Sequence, residues 1–390
     1  MRSLAIAMAV SLAGCASIDV ASAPAFVRGD GVHLSSAEID AEVTRLMEAG
    51  RVPGLAVALI AEGAVQYVRA YGYADIDEGR ALEIDTVMAG ASFTKSAFAY
   101  AVMTLVDEGR VDLDRPISAY LARSLPEYEN YADLADDPRW RAWTPRMLLS
   151  HVSGMPNWRW LSDDDKLTIL FEPGSRYAYS GEGIALMQFV LEEGLGIDVG
   201  ALMQERVFNR FAMSRTSMTW REDFRPNFAR GFDANGVNLG HPVRERAGAA
   251  GSMDTTIEDF AAFLAAIQRR EGLSAAARAE MLRPQIAITS RTQFPTQFPV
   301  DTDENRDIAL SYGLGWGLFQ SPYGAAFFKE GHDDGWNNYA LCLDEARRCI
   351  VLMANSSNGE SIFLYIVDAL MGETNLPWRW EGYIPYDLLD

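Results

Sequence analysis

The chain has 390 residues, of which 49% are hydrophobic and 23% are charged, and its formal net charge is −20. This length and hydrophobic content suffice for a large core in one compound domain or two, and they exclude wholesale disorder. The acidic balance disfavours binding to nucleic acid or to an anionic membrane surface, because both would repel the protein.

The N-terminus has the features of a targeting segment. One arginine precedes an apolar run over residues 4–14 that is too short to span a bilayer. The run ends with a leucine, two small residues and Cys15, which resembles the lipobox of bacterial lipoproteins. We therefore expect a signal peptide over 1–15, a lipid anchor on Cys15, a tether over 16–34 and export to the bacterial periplasm or cell envelope. The alternative is an ordinary cleaved signal peptide.

Apolar periodicity predicts the first elements of the folded part. A stripe with helical spacing predicts a helix from Ser35 to Gly50. Two aliphatic runs over 54–60 and 64–71 predict strands that are joined at Glu62 and Gly63.

Ser92 and Lys95 lie at the start of the next predicted helix, an apolar run that ends at Gly109. Residues three apart share a helix face, so both side chains point the same way, beside the unpaired N–H groups of the helix N-terminus. A serine becomes a nucleophile when a base removes its proton, and a lysine with a lowered pKa can be that base. The bare Ser-x-x-Lys pattern, however, favours an N-cap serine and a surface lysine.

The remaining pattern predicts one discontinuous domain over 35–375. Residues 111–239 are predicted to be mostly helical with long loops, and strands return late in the chain before a closing helix over 358–371. Strands at both ends indicate an α+β fold, in which an antiparallel sheet from about 35–110 and 240–375 is flanked by helices and carries the helical region as an insertion. The tail over 376–390 is aromatic and acidic, and its role stays open.

Cys342 and Cys349 lie in two predicted strands that a short turn at Glu345 and Ala346 would join. Such a turn would place the two cysteines directly opposite each other, at a Cα separation of about 4.5–5.5 Å, which is compatible with a disulfide in an exported protein. Two free buried thiols are the alternative.

Several segments carry a family resemblance. Residues 85–95 and 105–116 resemble the serine β-lactamase, penicillin-binding protein and esterase superfamily, most of all its class C β-lactamase-related branch. Residues 148–156 are similar to the family's Leu-Leu-x-His-x-Ser-Gly-Leu-Pro segment, and residues 171–180 to the stretch before its second catalytic motif. The resemblance covers roughly 43–371 and implies a β-lactamase/transpeptidase-like fold.

The family's second motif, Tyr-x-Asn, falls on Tyr179, Ser180 and Gly181. The resemblance implies that the Tyr179 phenol relays protons, as a base in acylation and as an acid toward the leaving group, for which a cationic setting must lower its pKa. The family asparagine is replaced by Gly181, which removes support for the lysine and one substrate amide contact. The adjacent Glu182 is a candidate substitute.

The third motif, Lys-Thr-Gly or His-x-Gly, has two candidate positions, one beginning at Lys329 and one at His332. The spacing to Gly335 and Trp336 favours Lys329, with Glu330 in the middle. The resemblance then implies that Lys329 supplies positive charge and that Gly331 allows close approach of the substrate. It also implies that the backbone N–H groups of Ser92 and His332 form the oxyanion hole.

The four histidines lie far apart, and no cluster of residues has metal-ligand spacing, so we expect neither a metal nor a cofactor. His151 is interpreted as a structural loop residue.

The resulting hypothesis is an exported serine hydrolase that cleaves a small neutral ester or peptide through a Ser92 acyl-enzyme. β-Lactamase or D-alanyl-D-alanine carboxypeptidase activity is an alternative within the superfamily. A catalytically silent binding lipoprotein on the same fold is the alternative of another class. The expected partners are a small-molecule or peptide substrate and the membrane, the latter through the lipid anchor, and the oligomeric state is open.

Overall fold

The computed structural model describes residues 25–162, 164–297 and 299–388. The expected signal peptide and Cys15 lie outside these residues. The tether expected over 16–34 does not extend to residues 25–34, because strands β1 (Phe26–Val27) and β2 (His33–Leu34) pair there and Phe26 is buried in the core. In the described ranges, no helix combines the length and apolarity needed to cross a bilayer.

The N-terminal elements follow the predicted order. Helix α1 (Ser36–Gly50) begins after Ser35, whose side chain forms a capping box with Glu38. Strands β3 (Gly54–Ala61) and β4 (Ala64–Asp75) form the predicted hairpin. Two short strands follow, β5 (Arg80–Ala81) and β6 (Met88–Ala89).

Helix α2 (Phe93–Asp107) follows Ser92 and is the central helix of the domain. All of its residues from Phe93 to Leu105 are buried, because its Ala-rich surface packs on every side against other elements. Lys95 is therefore carried into the interior by the helix that begins at the candidate nucleophile.

The inserted region has short helices and long loops. Its helices are α3 (Pro145–Leu149), which has the predicted Thr144 N-cap, α4 (Gly181–Phe189) and α5 (Val199–Met203). Strands β7 (Gly231–Phe232) and β8 (Asn238–Gly240) close the region. Short 3₁₀-helical or π-helical segments supply the rest, at Ile117–Ala119, Leu125–Glu127, Glu129–Leu134, Pro138–Ala142, Arg159–Leu161, Val190–Gly194, Gln204–Phe208 and Glu222–Phe224.

The C-terminal part returns the chain to the sheet. Its helices are α6 (Ile257–Gln268), α7 (Ala275–Met281), α8 (Glu360–Met371) and α9 (Trp378–Glu381), before a last turn at Tyr386–Leu388. Its strands are β9 (Asp254–Thr255), β10 (Ile286–Ala287), β11 (Ser311–Tyr312), β12 (Gly317–Ser321), β13 (Gly324–Asp333), β14 (Trp336–Leu343) and β15 (Arg348–Ala354).

Nine strands form one antiparallel sheet in the order β10-β11-β12-β13-β14-β15-β3-β4-β5. The late strand β15 pairs with the early strand β3, which confirms the predicted discontinuous sheet. Helices α1 and α8 cover one face, and α2 and α6 cover the other. This arrangement, with the inserted helical region beside α2, confirms the expected α+β fold.

The β14–β15 register sets Cys342 directly opposite Cys349, and the two form a disulfide with a Cα separation of 4.1 Å. The disulfide, not the pair of free thiols, is the observed state. The turn between the strands is longer than expected and covers residues 344–347.

Candidate active site

Ser92 and Lys95 are in contact at the N-terminus of α2. The Lys95 Nζ lies 2.8 Å from the Ser92 Oγ and donates to the Ala250 carbonyl at 2.5 Å. Burial holds the Lys95 pKa well below its usual value, and the positive charge of Lys329 lowers it further. The lysine thus has the position and the lowered proton affinity of a base for the Ser92 hydroxyl.

The backbone just before Ser92 is held in an unusual conformation. Ala91 has a φ of +44°, in the left-handed region that costs a residue with a Cβ about 1–2 kcal/mol. The Thr94 hydroxyl donates to the Ala91 carbonyl at 2.6 Å, and the Gly90 N–H donates to the Met253 carbonyl at 2.8 Å. These bonds stabilise the turn that positions Ser92, and the local sequence did not predict them.

Tyr179 lies between the two lysines. Its ring centroid is 5.0 Å from the Lys95 Nζ and 5.1 Å from the Lys329 Nζ, and its hydroxyl is 3.4 Å from the latter. Burial, and next the charge of Glu330, raise the Tyr179 pKa well above 10, although a hydrogen bond with Ser92 opposes them. The sequence-based expectation that a cationic setting lowers the Tyr179 pKa is therefore wrong. A phenol that stays protonated at neutral pH is suited to donate a proton, not to remove one.

His151 supports Tyr179 from behind. The rings of these two residues lie 4.3 Å apart, and the His151 Nδ1 accepts a hydrogen bond from the Ser180 N–H at 3.1 Å. Burial, followed by the charges of Lys95 and Lys329, holds the His151 pKa well below its usual value. A neutral, buried imidazole that holds the backbone beside Tyr179 fits the structural role expected for this residue.

Glu182 does not replace the missing asparagine. Its carboxylate accepts hydrogen bonds from the Arg159 backbone N–H at 3.0 Å and from the Arg159 guanidinium at 3.0 and 2.8 Å. The side chain is 6% exposed, and both of its oxygens are used in this ion pair. Glu182 therefore fixes the loop that contains Arg159 and supplies no contact to Lys95.

Lys329 is completely buried, and its charge is already paired. Its Nζ donates to the Glu330 carboxylate at 2.7 Å and to the Glu330 carbonyl at 2.9 Å. The same carboxylate accepts a hydrogen bond from the Gln293 amide at 3.0 Å. Burial lowers the Lys329 pKa, and the neighbouring Glu330 opposes that shift. The lysine and the glutamate form a buried ion pair beside Tyr179.

The register of β13 leaves the His332 N–H free to face the cleft. The Asp344 N–H donates a hydrogen bond to the Ala325 carbonyl, at the end of the β13–β14 pair. Because hydrogen-bonding groups alternate along a strand, the N–H and C=O groups of odd-numbered β13 residues point to β14, and those of even-numbered residues point to the opposite side. On that other side, β12 ends its pairing opposite Phe328. The backbone of His332 therefore lies on an open edge, while its side chain contacts Glu360 at 2.7 Å.

Gly331 brings this strand against the turn before Ser92. A Cβ on Gly331 would lie 2.9 Å from the Gly90 carbonyl oxygen, so a larger residue would push the strand away from the nucleophile. The structure thus brings Ser92, Lys95, Tyr179, Lys329 and Gly331 together at one end of α2. Across the described ranges, no group of three or more potential ligands could hold a metal ion.

The C-terminal tail also supports the site, which the sequence did not indicate. Trp380 is 1% exposed, its ring lies 5.7 Å from that of Tyr177, and its carbonyl accepts a bond from the Gln293 N–H at 2.7 Å. Because the Gln293 side chain binds Glu330, the tail is linked to the Lys329–Glu330 pair through one residue.

Sequence comparison relates this chain to known enzymes. The Beta-lactamase family model matches residues 39–369. Esterase EstB of Burkholderia gladioli is 35% identical over 41% of this chain and 37% of its own length, and a beta-lactamase of Pseudomonas fluorescens is 23% identical over 75% and 77%. A D-aminopeptidase of Gluconobacter oxydans is 25% identical over 51% of this chain and 39% of its own length. The chain thus matches well under half of the esterase and of the aminopeptidase.

Solved structures share the fold at low identity. The octameric penicillin-binding protein homologue from Pyrococcus abyssi superimposes with a TM-score of 0.70 at 20% identity, over 89% of this chain and 79% of its own. The D-alanine carboxypeptidase AmpC from Burkholderia cenocepacia gives 0.66 at 18% identity, over 84% and 97%. Because the family model matches most of this chain, the chain belongs to the beta-lactamase family, within the superfamily of serine β-lactamases, penicillin-binding proteins and esterases.

Proposed function

We propose that this protein is an exported serine hydrolase that cleaves small neutral esters through an acyl-enzyme on Ser92. The observation that carries the proposal is the 2.8 Å contact between the Ser92 hydroxyl and Lys95, a buried lysine whose pKa is lowered. This contact supports a nucleophile with its base in place, and it argues against a silent binding protein.

In the proposed acylation, Lys95 accepts the Ser92 proton while the Ser92 Oγ attacks the ester carbonyl. The backbone N–H groups of Ser92 and His332 stabilise the negative oxygen of the tetrahedral intermediate. The C–O bond to the alcohol then breaks, and the leaving alkoxide takes a proton from Tyr179, which recovers it from Lys95. In deacylation, a water molecule gives a proton to Lys95 while its oxygen attacks the acyl carbonyl. The bond between the acyl group and the Ser92 Oγ then breaks, Ser92 regains a proton, and the carboxylic acid is released.

The ion pair of Lys329 with Glu330 favours neutral substrates. β-Lactams and peptide C-termini present a carboxylate near the third motif, where Lys329 would meet it. Here the Lys329 ammonium is already paired with the Glu330 carboxylate, at 2.7 Å. A substrate carboxylate about 5 Å from the Glu330 carboxylate would be repelled by about 3 kcal/mol at an effective dielectric of about 20. We therefore infer small neutral esters as substrates, in preference to β-lactams or D-alanyl peptides.

Export is supported by two independent features. The segment before Cys15 resembles a lipobox, and the Cys342–Cys349 disulfide is of a kind that persists outside the reducing cytoplasm. We infer that the mature protein is anchored by lipid on Cys15 in the bacterial cell envelope.

The test combines active-site labelling with a substrate panel. A fluorophosphonate probe should label the wild type and not Ser92→Ala, and purified protein should hydrolyse p-nitrophenyl acetate faster than nitrocefin, penicillin G or D-alanyl-D-alanine peptides. Equal labelling of the two proteins would disprove the nucleophile, and penicillin hydrolysis above the ester rate would disprove the preference for neutral esters.

A further inference from the structure

Gly181 stands where the family motif has an asparagine, and its surroundings explain the glycine. A Cβ at Gly181 would lie 2.5–2.8 Å from three ring carbons of Trp158. Gly181 does not have a positive φ, so its backbone conformation does not require glycine. The glycine is needed because the Trp158 indole occupies the space into which the side chain at position 181 would project.

Both chain neighbours of Trp158 are bonded to the segment that contains Gly181. The Asn157 side-chain oxygen accepts a bond from the Gly181 N–H, and its carbonyl accepts one from the Glu182 N–H, each at 3.0 Å. On the other side, Arg159 is held by the Glu182 carboxylate at 2.8 Å. The tryptophan thus lies between two residues that are bonded to the start of α4, so the backbone that carries its indole is held beside Gly181.

The indole belongs to the same site as the nucleophile. The Lys95 Nζ lies 5.9 Å from the Trp158 ring centroid and 2.8 Å from the Ser92 Oγ. Trp160 stacks on Trp158 with centroids 4.6 Å apart and ring planes 10° apart, and Trp160 is 59% exposed. The stacked pair therefore extends from the lysine beside Ser92 to the solvent-exposed Trp160.

We propose that the Trp158–Trp160 pair is a subsite for a flat, apolar acyl group, such as an arylacetyl group, in place of the amide contact that an asparagine at 181 would provide. This inference rests on the proposed ester hydrolysis at Ser92 and names its substrate class. An indole face offers dispersion and aromatic stacking and no partner for an amide. An ester acyl chain without an amide leaves no group unpaired there, whereas an acylamino substrate loses a hydrogen bond.

The assignment to the acyl side follows from the positions of the proton-handling groups. Tyr179, the proposed donor to the leaving group, contacts both lysines, whereas the Trp158 ring contacts the Lys95 ammonium. We therefore place the acyl group that Ser92 retains on the Lys95 side of the site, against the Trp158 indole.

The test compares two esters with the same leaving group, p-nitrophenyl phenylacetate and p-nitrophenyl acetate. Trp158→Ala should lower the ratio of their kcat/KM values about tenfold, mainly through a higher KM for the phenylacetyl ester. Gly181→Asn should lower the same ratio, because its side chain displaces the indole. Trp158→Phe should keep most of the preference, and Trp220→Ala, whose ring packs on Phe224 and Phe228, should leave it unchanged. An unchanged ratio in Trp158→Ala would overturn the subsite, whatever the other variants show.

A binding measurement separates this inference from the proposed activity. N-methylphenylacetamide should bind Ser92→Ala about tenfold more tightly than N-methylacetamide by NMR titration, and Trp158→Ala in that background should remove the difference. If Ser92-dependent ester hydrolysis proceeds with no dependence on Trp158, the subsite is wrong and the hydrolase stands. If no ester is cleaved but aryl binding depends on Trp158, the hydrolase is wrong and the subsite stands.

Discussion

The Glu330 carboxylate lies 2.7 Å from the Lys329 ammonium, although the two residues are adjacent on one strand. Ideal strand alternation would turn them to opposite faces. They meet because β12 stops pairing opposite Phe328, so both long side chains reach the open edge of β13. Because both groups are buried, the pair removes the free positive charge that would attract a substrate carboxylate.

Replacing Glu330 should therefore change substrate preference. Glu330→Thr should raise kcat/KM for a cephalosporin relative to p-nitrophenyl acetate at least about tenfold, because the Lys329 charge becomes available and a repulsion of up to about 3 kcal/mol is lost. Glu330→Gln is the matched control, since it removes the charge and keeps the size and the amide contacts. A gain in both variants assigns the effect to charge, and an unchanged ratio in both would contradict the role of the pair.

The contact of Ser92 with Lys95 predicts a steep loss on truncation of either side chain. Ser92→Ala should reduce ester turnover to background, and Lys95→Ala should lower kcat about 10²–10⁴-fold, because the hydroxyl loses its base. Steady-state kinetics on proteins with matching circular dichroism spectra would measure this. Turnover near the wild-type rate by a folded Ser92→Ala protein would rule out the assignment of the nucleophile.

The lowered pKa of Lys95 predicts the acid side of the pH–rate profile. Only the neutral amine accepts the Ser92 proton, so kcat/KM should rise with pH along a limb whose pKa lies well below 10.5. The charge of Asp333 raises the Lys95 pKa, so Asp333→Asn should move this limb to lower pH. Profiles of p-nitrophenyl acetate hydrolysis for both proteins would measure the shift. A limb at or above 10.5, or a shift to higher pH, would contradict Lys95 as the base.

Features set by local spacing or strand register were predictable from the sequence. The i, i+3 relation of Ser92 and Lys95 needs only helix geometry, and the Cys342–Cys349 disulfide needs only hairpin register. Contacts between distant loops were not predictable. The Trp158 ring over Gly181 and the Gln293 amide on Glu330 join segments that no periodicity relates. The raised Tyr179 pKa likewise depends on burial, which the motif alone does not reveal.

The proposed lipid anchor on Cys15 predicts that mutation of this residue changes the location of the protein. Cys15→Ala should release the protein from membranes to the soluble fraction, because two or more acyl chains bind a bilayer stably where one is marginal. Fractionation of cells that express each form, with globomycin treatment of the wild type as a second check, would measure it. Unchanged membrane association of Cys15→Ala would contradict the anchor.

The tail beyond α8 should contribute both to stability and to the site. Trp380→Ala should lower the free energy of unfolding by about 3–5 kcal/mol, because a fully buried ring is removed from between Tyr177 and Phe328. Trp378→Ala is the matched control, because Trp378 is half-buried and its removal should lower the free energy of unfolding clearly less. Urea unfolding followed by circular dichroism would compare them, with activity measured well below the transition.

The same variant tests the link from the tail to the ion pair. The Trp380 carbonyl binds the Gln293 N–H, and the Gln293 side chain binds Glu330, so the loss of the indole should loosen the support of Lys329 as well as the core. The folded fraction of Trp380→Ala should therefore show lower kcat for p-nitrophenyl acetate, and Trp380→Phe should restore much of it by filling the same space. If Trp380→Ala is as stable and as active as Trp378→Ala, the tail is not part of the support of the site.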